Sequence, residues 1–186
     1  MPRAGLDAAA VVAAGAAIAD EIGLAGLSMG LVAERLGVRT PSLYKHVDGL
    51  ADLHRRIAVL ATTELGDAIR DALQGRSGPD ALDALARALR DFVLAHPGRY
   101  AATVSATNGG PDDPLTLAGD RVIESMSAVL RGYQIGPADT VHALRTLRSL
   151  LHGFATLQAA NGFQWDADTE KSFGWLIAFA DRGLRG

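Results

Sequence analysis

A segment of twenty residues near the N-terminus, SMGLVAERLGVRTPSLYKHV (residues 28–47), constrains the fold of this chain more than any other feature. It consists of two short helical patterns on either side of Gly37. Each pattern is too short to be stable alone, since isolated helices shorter than about 12–15 residues are marginal in water. Ser28 is a good helix N-cap, and Gly37 stands where a left-handed residue ends a helix. The two patterns must therefore be held against each other by tertiary packing.

The second pattern is expected to present a polar surface. Thr40 and Pro41 form an N-cap and first-turn pair, so a new helix should begin three residues after the glycine. Leu43 and Val47 are four residues apart and can pack on the first helix. The side chains left outside are Ser42, Tyr44, Lys45 and His46. This arrangement predicts a helix-turn-helix.

Such a helix fits the major groove of DNA. Base contacts are expected from a first group of side chains, namely Arg39, which can chelate guanine, and Thr40 and Ser42, which can donate or accept hydrogen bonds. Phosphate contacts are expected from a second group, namely Tyr44, Lys45, His46 and the free amides at the helix start of Ser28. The same turn and cap also occur in helical hairpins that bind no DNA. The spacing alone is therefore consistent with DNA binding and with an ordinary helical hairpin.

Charge is concentrated in the same region. The chain has a net charge of −3, yet between Ser28 and Arg56 five basic residues stand against three acidic ones. The basic residues are Arg35, Arg39, Lys45, Arg55 and Arg56, and the acidic ones are Glu34, Asp48 and Asp52. This small excess fits a local DNA contact, although ordinary surface charge would look the same.

The whole chain is predicted to be all-α. It has 186 residues, shows no sustained alternation typical of strands, and is divided by Gly- and Pro-rich breaks into about nine helices. One long helix is expected from about Leu50 to Leu73, leading from the helix-turn-helix into the remainder. The apolar stretch Ala8–Ala19 is too short to span a bilayer and continues into an amphipathic pattern, so we expect a cytoplasmic protein with no membrane partner.

An enzyme is not expected. The sequence contains no nucleophile elbow, P-loop, dinucleotide fingerprint or HExxH, and it has no cysteine. His142 and His152 share a helix but point about 80° apart and lie several turns from each other, so they cannot chelate one metal. We therefore expect no cofactor and no metal.

The C-terminal helices are expected to bind a small molecule and a second copy of the chain. A bundle between the long helix and the Pro137 helix can enclose a cavity, and its candidate lining residues are Tyr100, Met126, Tyr133, His142 and Trp165. The last helix is apolar on two faces, which favours a homodimer, although its own chain could also cover both faces. The candidate interface residues are Val141, Leu151, Phe154, Phe173, Ile177 and Ala180.

The segment GLSMGLVAERLGVRTPSLYKHVDGLADLHRRIA resembles the DNA-binding region of the TetR family of transcriptional regulators. The family pattern runs from a Ser or Thr cap through VAxxLGV to LYxHF or LYxHV, and TPSLYKHV is close to the tetracycline-repressor branch. The C-terminal segment LRSLLHGFATLQAANGF, with Leu151, His152 and Gly153, resembles a TetR subgroup with a Trp/Leu-His-Gly element. The resemblance implies a DNA-binding domain of residues 1–48 and an effector-binding and dimerisation domain of residues 49–186.

The resemblance also implies a mechanism. The two DNA-binding domains of a homodimer would bind a palindromic double-stranded operator. A small molecule bound in the C-terminal domain would release the dimer from this operator. A repressor is the family expectation. The alternative is an all-α ligand-binding or protein-interaction module that has lost DNA binding, an alternative favoured by the small positive excess and by Leu50 where relatives often have a phosphate-binding Lys.

Overall fold

The structure is a computed structural model that describes residues 6–185. All regular secondary structure in this part of the chain is helical, as the sequence predicts. The nine α-helices within these residues are α1 (Ala8–Ile22), α2 (Met29–Leu36), α3 (Thr40–Leu43), α4 (Leu50–Ala72), α5 (Gly78–Ala95), α6 (Pro97–Ser105), α7 (Pro114–Arg131), α8 (Pro137–Ala159) and α9 (Thr169–Arg185). The long helix predicted from about Leu50 to Leu73 is confirmed as α4.

The chain forms two compact units. The first contains the described residues up to Thr62 together with His96–Leu115, and the second contains Thr63–Ala95 and the described residues from Thr116 onward. This division differs from the predicted boundary after residue 48. The reason is packing, because the beginning of α4 and all of α6 join the N-terminal helices in one core. A functional division at residue 48 stays a prediction.

The core of the first unit is made of apolar side chains that face inward from α1, α2, α3 and α4. Val11, Val32, Leu43, Leu53 and Ile57 are all fully buried in one cluster. Each short helix of the N-terminal region therefore buries apolar surface against a longer one, which supplies the stability that neither α2 nor α3 has alone.

Polar contacts hold α6 on α1 within the first unit. The Oδ1 atom of Asp20 accepts a hydrogen bond of 2.9 Å from the backbone N–H of Arg99. Its Oδ2 atom lies 3.0 Å from Nε of Arg99 and 3.2 Å from Nδ1 of His96. A carboxylate of α1 thus satisfies one of the free amides at the start of α6, a role usually played by a capping residue of the same helix.

The second unit is built around α5, α8 and α9. Leu85, Leu147, Leu151 and Phe173 are buried at its centre. Arg90 is only 8% exposed, and its guanidinium lies 4.5 Å from the centroid of the Phe173 ring. Within residues 6–185, no helix has the length and the apolar character needed to cross a membrane.

The guanidinium of Arg90 is bonded to side chains of two other helices. Its Nε donates to Gln158 at 2.8 Å, and its Nη1 donates to Glu170 at 2.6 Å. Arg87 pairs with the other oxygen of Glu170 at 2.5 Å and with Asp83 at 2.9 Å. This network ties α5 to α8 and α9.

Candidate nucleic-acid interface

The turn between α2 and α3 is fixed by hydrogen bonds at both ends of α2. The hydroxyl of Ser28 accepts from the backbone N–H of Leu31 at 3.3 Å, which confirms the predicted N-cap. Gly37 has φ +66° and ψ +31°, in the left-handed region, which confirms the predicted C-terminal glycine. The amide of Gly37 donates to Glu34 and the amide of Val38 donates to Ala33, each at 3.0 Å. These two bonds form a Schellman motif, so the direction in which the chain leaves α2 is set by backbone geometry.

The segment after the turn is shorter as a regular helix than the sequence predicts. The helix begins at Thr40, with Arg39 as its N-cap and no side-chain capping bond, so Thr40 is inside the helix and was wrongly predicted as its cap. Regular α-helix ends at Leu43, and the amides of His46 and Val47 both donate to the carbonyl of Leu43 in a closing turn. Residues 40–46 therefore form one compact helical turn with a second turn attached.

The predicted inward and outward faces of this segment are confirmed. Leu43 is fully buried and Val47 is 1% exposed, whereas Tyr44 between them is 54% exposed. Arg39 and Lys45 are also exposed. Thr40, Ser42 and His46 are half-buried, so each of the predicted DNA-contacting residues of this segment keeps some exposed surface. Ser28 is exposed at the start of α2.

The charges separate into paired and unpaired groups. Arg35 makes two hydrogen bonds, of 3.0 and 2.6 Å, to the carboxylate of Glu21 on α1, and these bonds lower the pKa of Glu21. Arg56 pairs with Asp52 one turn earlier at 2.9 Å. Arg55 is engaged by the segment before α7, where it donates to the carbonyl of Thr107 at 3.0 Å and pairs with the carboxylate of Asp113.

Two cations of this region are left without a protein partner in the described part of the chain, and they are Arg39 and Lys45. Along the sequence, Arg39 stands five residues before the exposed Tyr44 and Lys45 directly after it. The small basic excess seen in the sequence is therefore present, as unpaired charge, within residues 39–45. We call residues 39–46 the reading segment. The free cations and hydrogen-bonding side chains of this segment suit a partner that carries many negative charges and presents hydrogen-bonding groups between them.

The five residues predicted for an effector pocket are not brought together. Tyr100 is 5% exposed and belongs to the first unit, while Met126 is 4% exposed on α7. Trp165 is 88% exposed in the segment between α8 and α9, so in the single chain it lines no enclosed site. Only Tyr133 and His142 line a common cavity, which has a volume of about 650 Å³. The sequence pattern shows which residues are apolar or aromatic, and it cannot show which of them face the same space.

Other residues of this cavity were missed by the sequence analysis. On α8 they include Asp139, Ala143, Thr146 and Leu150, and from α9 they include Phe179, Leu184 and Arg185. The α8 residues recur at spacings of three and four, the signal of one helix face. That signal was present in the sequence, but it was outweighed by the stronger apolar stripe on the other side of the helix.

Most residues predicted for a dimer interface are buried within the chain itself. Leu151, Phe173, Ile177 and Ala180 are between 0% and 9% exposed in a single chain. Phe154 packs against the rings of Phe163 and Phe173, with centroids 4.7 and 5.0 Å apart. Leu151, Phe173, Ile177 and Ala180 belong to the core of the second unit and offer almost no surface to a partner, whereas Phe154 is half-buried and its place in an interface stays a prediction.

Exposed apolar side chains nevertheless remain on the same two helices. Val141, the sixth predicted interface residue, is 52% exposed on α8. Leu157 on α8 and Trp175 and Phe179 on α9 are also more than half exposed. Large apolar side chains exposed on neighbouring helices are typical of an interaction surface.

Among residues 6–185, no group of three or more His, Asp or Glu side chains is arranged to hold a metal ion.

Known proteins resemble this chain along its whole length. A model of the family described as "Tetracyclin repressor-like, C-terminal domain" matches residues 82–180. The uncharacterized HTH-type transcriptional regulator YobS of Bacillus subtilis (strain 168) is 35% identical over 185 residues, which cover 98% of this chain and 95% of that protein.

Two solved structures share the fold. A variant of TetR from Acinetobacter baumannii AYE, in complex with minocycline, has a TM-score of 0.72 and 22% identity, and the match covers 98% of this chain and 99% of that one. BioQ with its double-stranded DNA operator has a TM-score of 0.72 and 23% identity over the same shares of the two chains. At these identities the likeness establishes the fold.

Proposed function

The chain belongs to the TetR family of DNA-binding, HTH-type transcriptional regulators, and from this premise we propose that it reads operator DNA through the reading segment, residues 39–46. The observation that supports the proposal is that Arg39 and Lys45 are exposed and unpaired in the same short segment as the exposed Tyr44. All other arginines between Ser28 and Arg56 are engaged by carboxylates of the chain itself. Within residues 28–56, free positive charge is therefore available only in the reading segment, as a groove-binding surface requires.

Some residues of the reading segment would contact bases, and others would contact phosphates. Arg39 is exposed at the start of α3, where its guanidinium can donate two hydrogen bonds to a guanine edge. Thr40 and Ser42 follow on the same turn and can contact neighbouring bases. Tyr44, Lys45 and His46 are donors placed to reach phosphate oxygens, and the free amides at the start of α2, beside Ser28, would hold another phosphate.

The regulator would act as a homodimer on a palindromic operator. Two reading segments must fall about 34–36 Å apart to enter successive major grooves, and a two-fold dimer provides such a pair. The exposed residues Leu157 on α8 and Trp175 and Phe179 on α9 are those we assign to the partner subunit. Val141, about 160° around α8 from Leu157, stays a separate prediction. BioQ, which shares the fold, was crystallised with a double-stranded operator. A cytoplasmic location follows from a DNA partner.

A small molecule would release the repressor from its operator. The related TetR structure contains minocycline, a small-molecule ligand. The continuous helix α4 begins in the first unit and ends in the second. A ligand that prefers one conformation of the second unit would shift the dimer away from the conformation that fits DNA, by no more than its difference in affinity for the two.

Fluorescence anisotropy with the promoter region flanking its own gene tests the reading segment. We expect salt-sensitive binding by the wild-type protein, and binding about tenfold or more weaker for Arg39→Ala and Tyr44→Ala. Arg121→Ala is the matched control, because Arg121 is an exposed arginine of α7 that also has no partner within residues 6–185. It should bind as the wild type does. Equal and salt-insensitive failure of all four proteins would indicate instead a helical module that no longer binds DNA.

A further inference from the structure

The beginning of α4 contains an arginine that is held by a carboxylate directly after the reading segment. Nε of Arg56 lies 3.0 Å from Oδ1 and 2.9 Å from Oδ2 of Asp52, so one guanidinium group engages both oxygens. Oδ2 also accepts a hydrogen bond of 2.9 Å from the backbone N–H of Asp48, the second residue after the reading segment. A negative charge of the protein itself is therefore fixed beside the end of the reading segment.

The side chain of Arg56 extends toward that same end. Side chains of an α-helix lean toward its N-terminus, so a long side chain at position 56 lies over the residue four positions earlier. The guanidinium is thereby brought back to the first turn of α4, which begins at Leu50. The Arg56 side chain is 41% exposed, so an anion in solution could reach it if the carboxylate were absent.

The carboxylate of Asp52 is ionised and held in place. Burial acts to raise its pKa, but the hydrogen bonds from Arg56 and from the Asp48 amide outweigh this effect and hold the pKa below its usual value. The bond to a backbone amide also fixes one oxygen, whereas an ordinary surface ion pair joins two mobile side chains. The positive charge of Arg56 is therefore balanced before any DNA approaches.

A pair of this spacing can also serve only to support its helix. Asp67 and Arg70, three residues apart on α4, form such a pair at 2.8 Å. The pair of Asp52 and Arg56 differs in its position, because its carboxylate is bonded to the backbone next to the reading segment. Arg39 and Lys45 show that free cations are present there, so Arg56 is the neighbouring cation that the chain itself keeps occupied.

We propose that Asp52 limits the affinity of this protein for DNA by occupying Arg56 in place of a backbone phosphate. Carboxylate and phosphate oxygens accept the same charge-assisted hydrogen bonds from a guanidinium group. The proposal rests on the proposed function, since it requires that DNA meets the reading segment. Phosphate contacts carry no sequence information, so Asp52 would keep non-specific binding weak and leave discrimination to the base contacts.

Fluorescence anisotropy with a random-sequence DNA duplex, titrated at several salt concentrations, tests the proposal. Asp52→Asn should bind about fivefold more tightly than the wild type, and the slope of log K against log salt should steepen by about 1, because one phosphate contact is gained. The gain should fall below about twofold when Arg56→Ala is also present. No operator is needed, so a failure of Arg39→Ala to weaken operator binding would contradict the reading segment and leave this measurement unchanged.

Two controls separate the release of Arg56 from the loss of a negative charge. Asp67→Asn changes the charge equally and breaks the pair with Arg70, about 22 Å further along α4, and it should bind as the wild type does. Asp48→Asn removes an exposed carboxylate beside the reading segment without releasing Arg56. Any gain from Asp48→Asn should be smaller than that from Asp52→Asn, and it should persist in the presence of Arg56→Ala.

Two outcomes would overturn the proposal. The first is Asp52→Asn binding the random duplex no more tightly than the wild type, which would leave the pair with a structural role in α4. The second is an equal gain with and without Arg56, which would show a general effect of charge. Circular dichroism verifies folding, and the asparagine keeps an oxygen that can accept from the Asp48 amide. Asp52→Ser, which also removes the charge, keeps the test valid if Asp52→Asn is not folded.

Discussion

Gly98, the second residue of α6, lies directly against the backbone of Ala19 on α1. A Cβ atom added to Gly98 would stand 1.9 Å from the carbonyl oxygen of Ala19 and 2.1 Å from its carbonyl carbon. Two helices can approach this closely only where one of them has no side chain. This contact explains why α6 belongs to the same compact unit as α1.

We predict that Gly98→Ala destabilises the protein by about 3 kcal/mol or more, because the methyl group meets backbone atoms and cannot be accommodated by a rotamer change. Urea denaturation followed by circular dichroism measures the loss. Gly119→Ala is the control, since a Cβ at this helical glycine of α7 meets nothing within 4 Å. It should be neutral or should stabilise by up to about 1 kcal/mol. Equal stability of the two variants would contradict the close approach.

Asp20 provides the polar part of the same contact. Asp20→Ala removes the acceptor of the Arg99 amide and the partner of its guanidinium, and we expect a loss of about 1–2 kcal/mol in the free energy of unfolding. Hydrogen exchange should show faster exchange at the first amides of α6. Glu34→Ala, at an exposed carboxylate of α2, should change neither quantity, and a similar loss for both variants would refute the capping role of Asp20.

The contact of α6 with α1 could not be predicted from the sequence, because it joins residues that are far apart in the chain. Local signals identified the Ser28 cap, the Gly37 turn, the buried Leu43 and the extent of α4 correctly, because each depends on residues within one or two helical turns. In the sequence, nothing distinguishes Arg35 from the other surface cations of this region. Its pairing with Glu21 depends on tertiary structure and leaves Arg39 and Lys45 as the free charges.

The last two helices show a different limit. Their apolar periodicity was correctly recognised, but periodicity does not show which chain covers an apolar face. Phe173 and Ile177 turned out to be covered by the same chain, while Trp175 on the same helix is 72% exposed. The cavity at the start of α8 was missed for a related reason, since its second wall comes from α9, and only the tertiary structure places α9 beside this face of α8.

Glu170 makes stability depend on pH in the acid range. Hydrogen bonds from Arg90 and then Arg87 lower its pKa from 4.5 to about 2. A carboxylate with a lowered pKa in the folded state stabilises that state above the pKa of the unfolded chain, and this contribution is lost as the pH falls through the folded value. We expect the contribution to be complete above about pH 4.5 and to disappear toward about pH 2.

Glu170→Gln tests this dependence. The variant should be less stable than the wild type at neutral pH, and the difference in denaturation midpoint should shrink as the pH falls from about 4.5 toward 2. Glu124→Gln, at an exposed carboxylate of α7, gives the background for removing a negative charge. A difference between Glu170→Gln and the wild type that does not change with pH would show that the ion pairs with Arg87 and Arg90 are not formed in solution.

Lys45 should act on DNA without distinguishing sequences. Lys45→Ala is expected to weaken binding to specific and random DNA by similar factors and to reduce the slope of log K against log salt by about 1, because one phosphate contact is lost. Anisotropy titrations at several salt concentrations measure both effects. Lys171→Ala, at an exposed lysine of α9, should leave the slope unchanged. A loss confined to the specific operator would show that Lys45 contacts a base.

Leu43 and Tyr44 are adjacent residues with opposite exposure, 0% and 54%, so their substitutions should separate folding from DNA binding. Leu43→Ala leaves a void in the core of the first unit and should lower the free energy of unfolding by about 2–5 kcal/mol. Tyr44→Ala should stay within about 0.5 kcal/mol of the wild type, as exposed substitutions usually do, yet lose operator affinity. Denaturation and anisotropy measured on both variants provide the comparison. If Tyr44→Ala destabilised the protein as much as Leu43→Ala does, its loss of DNA binding would reflect unfolding, and the reading segment would lose its strongest support.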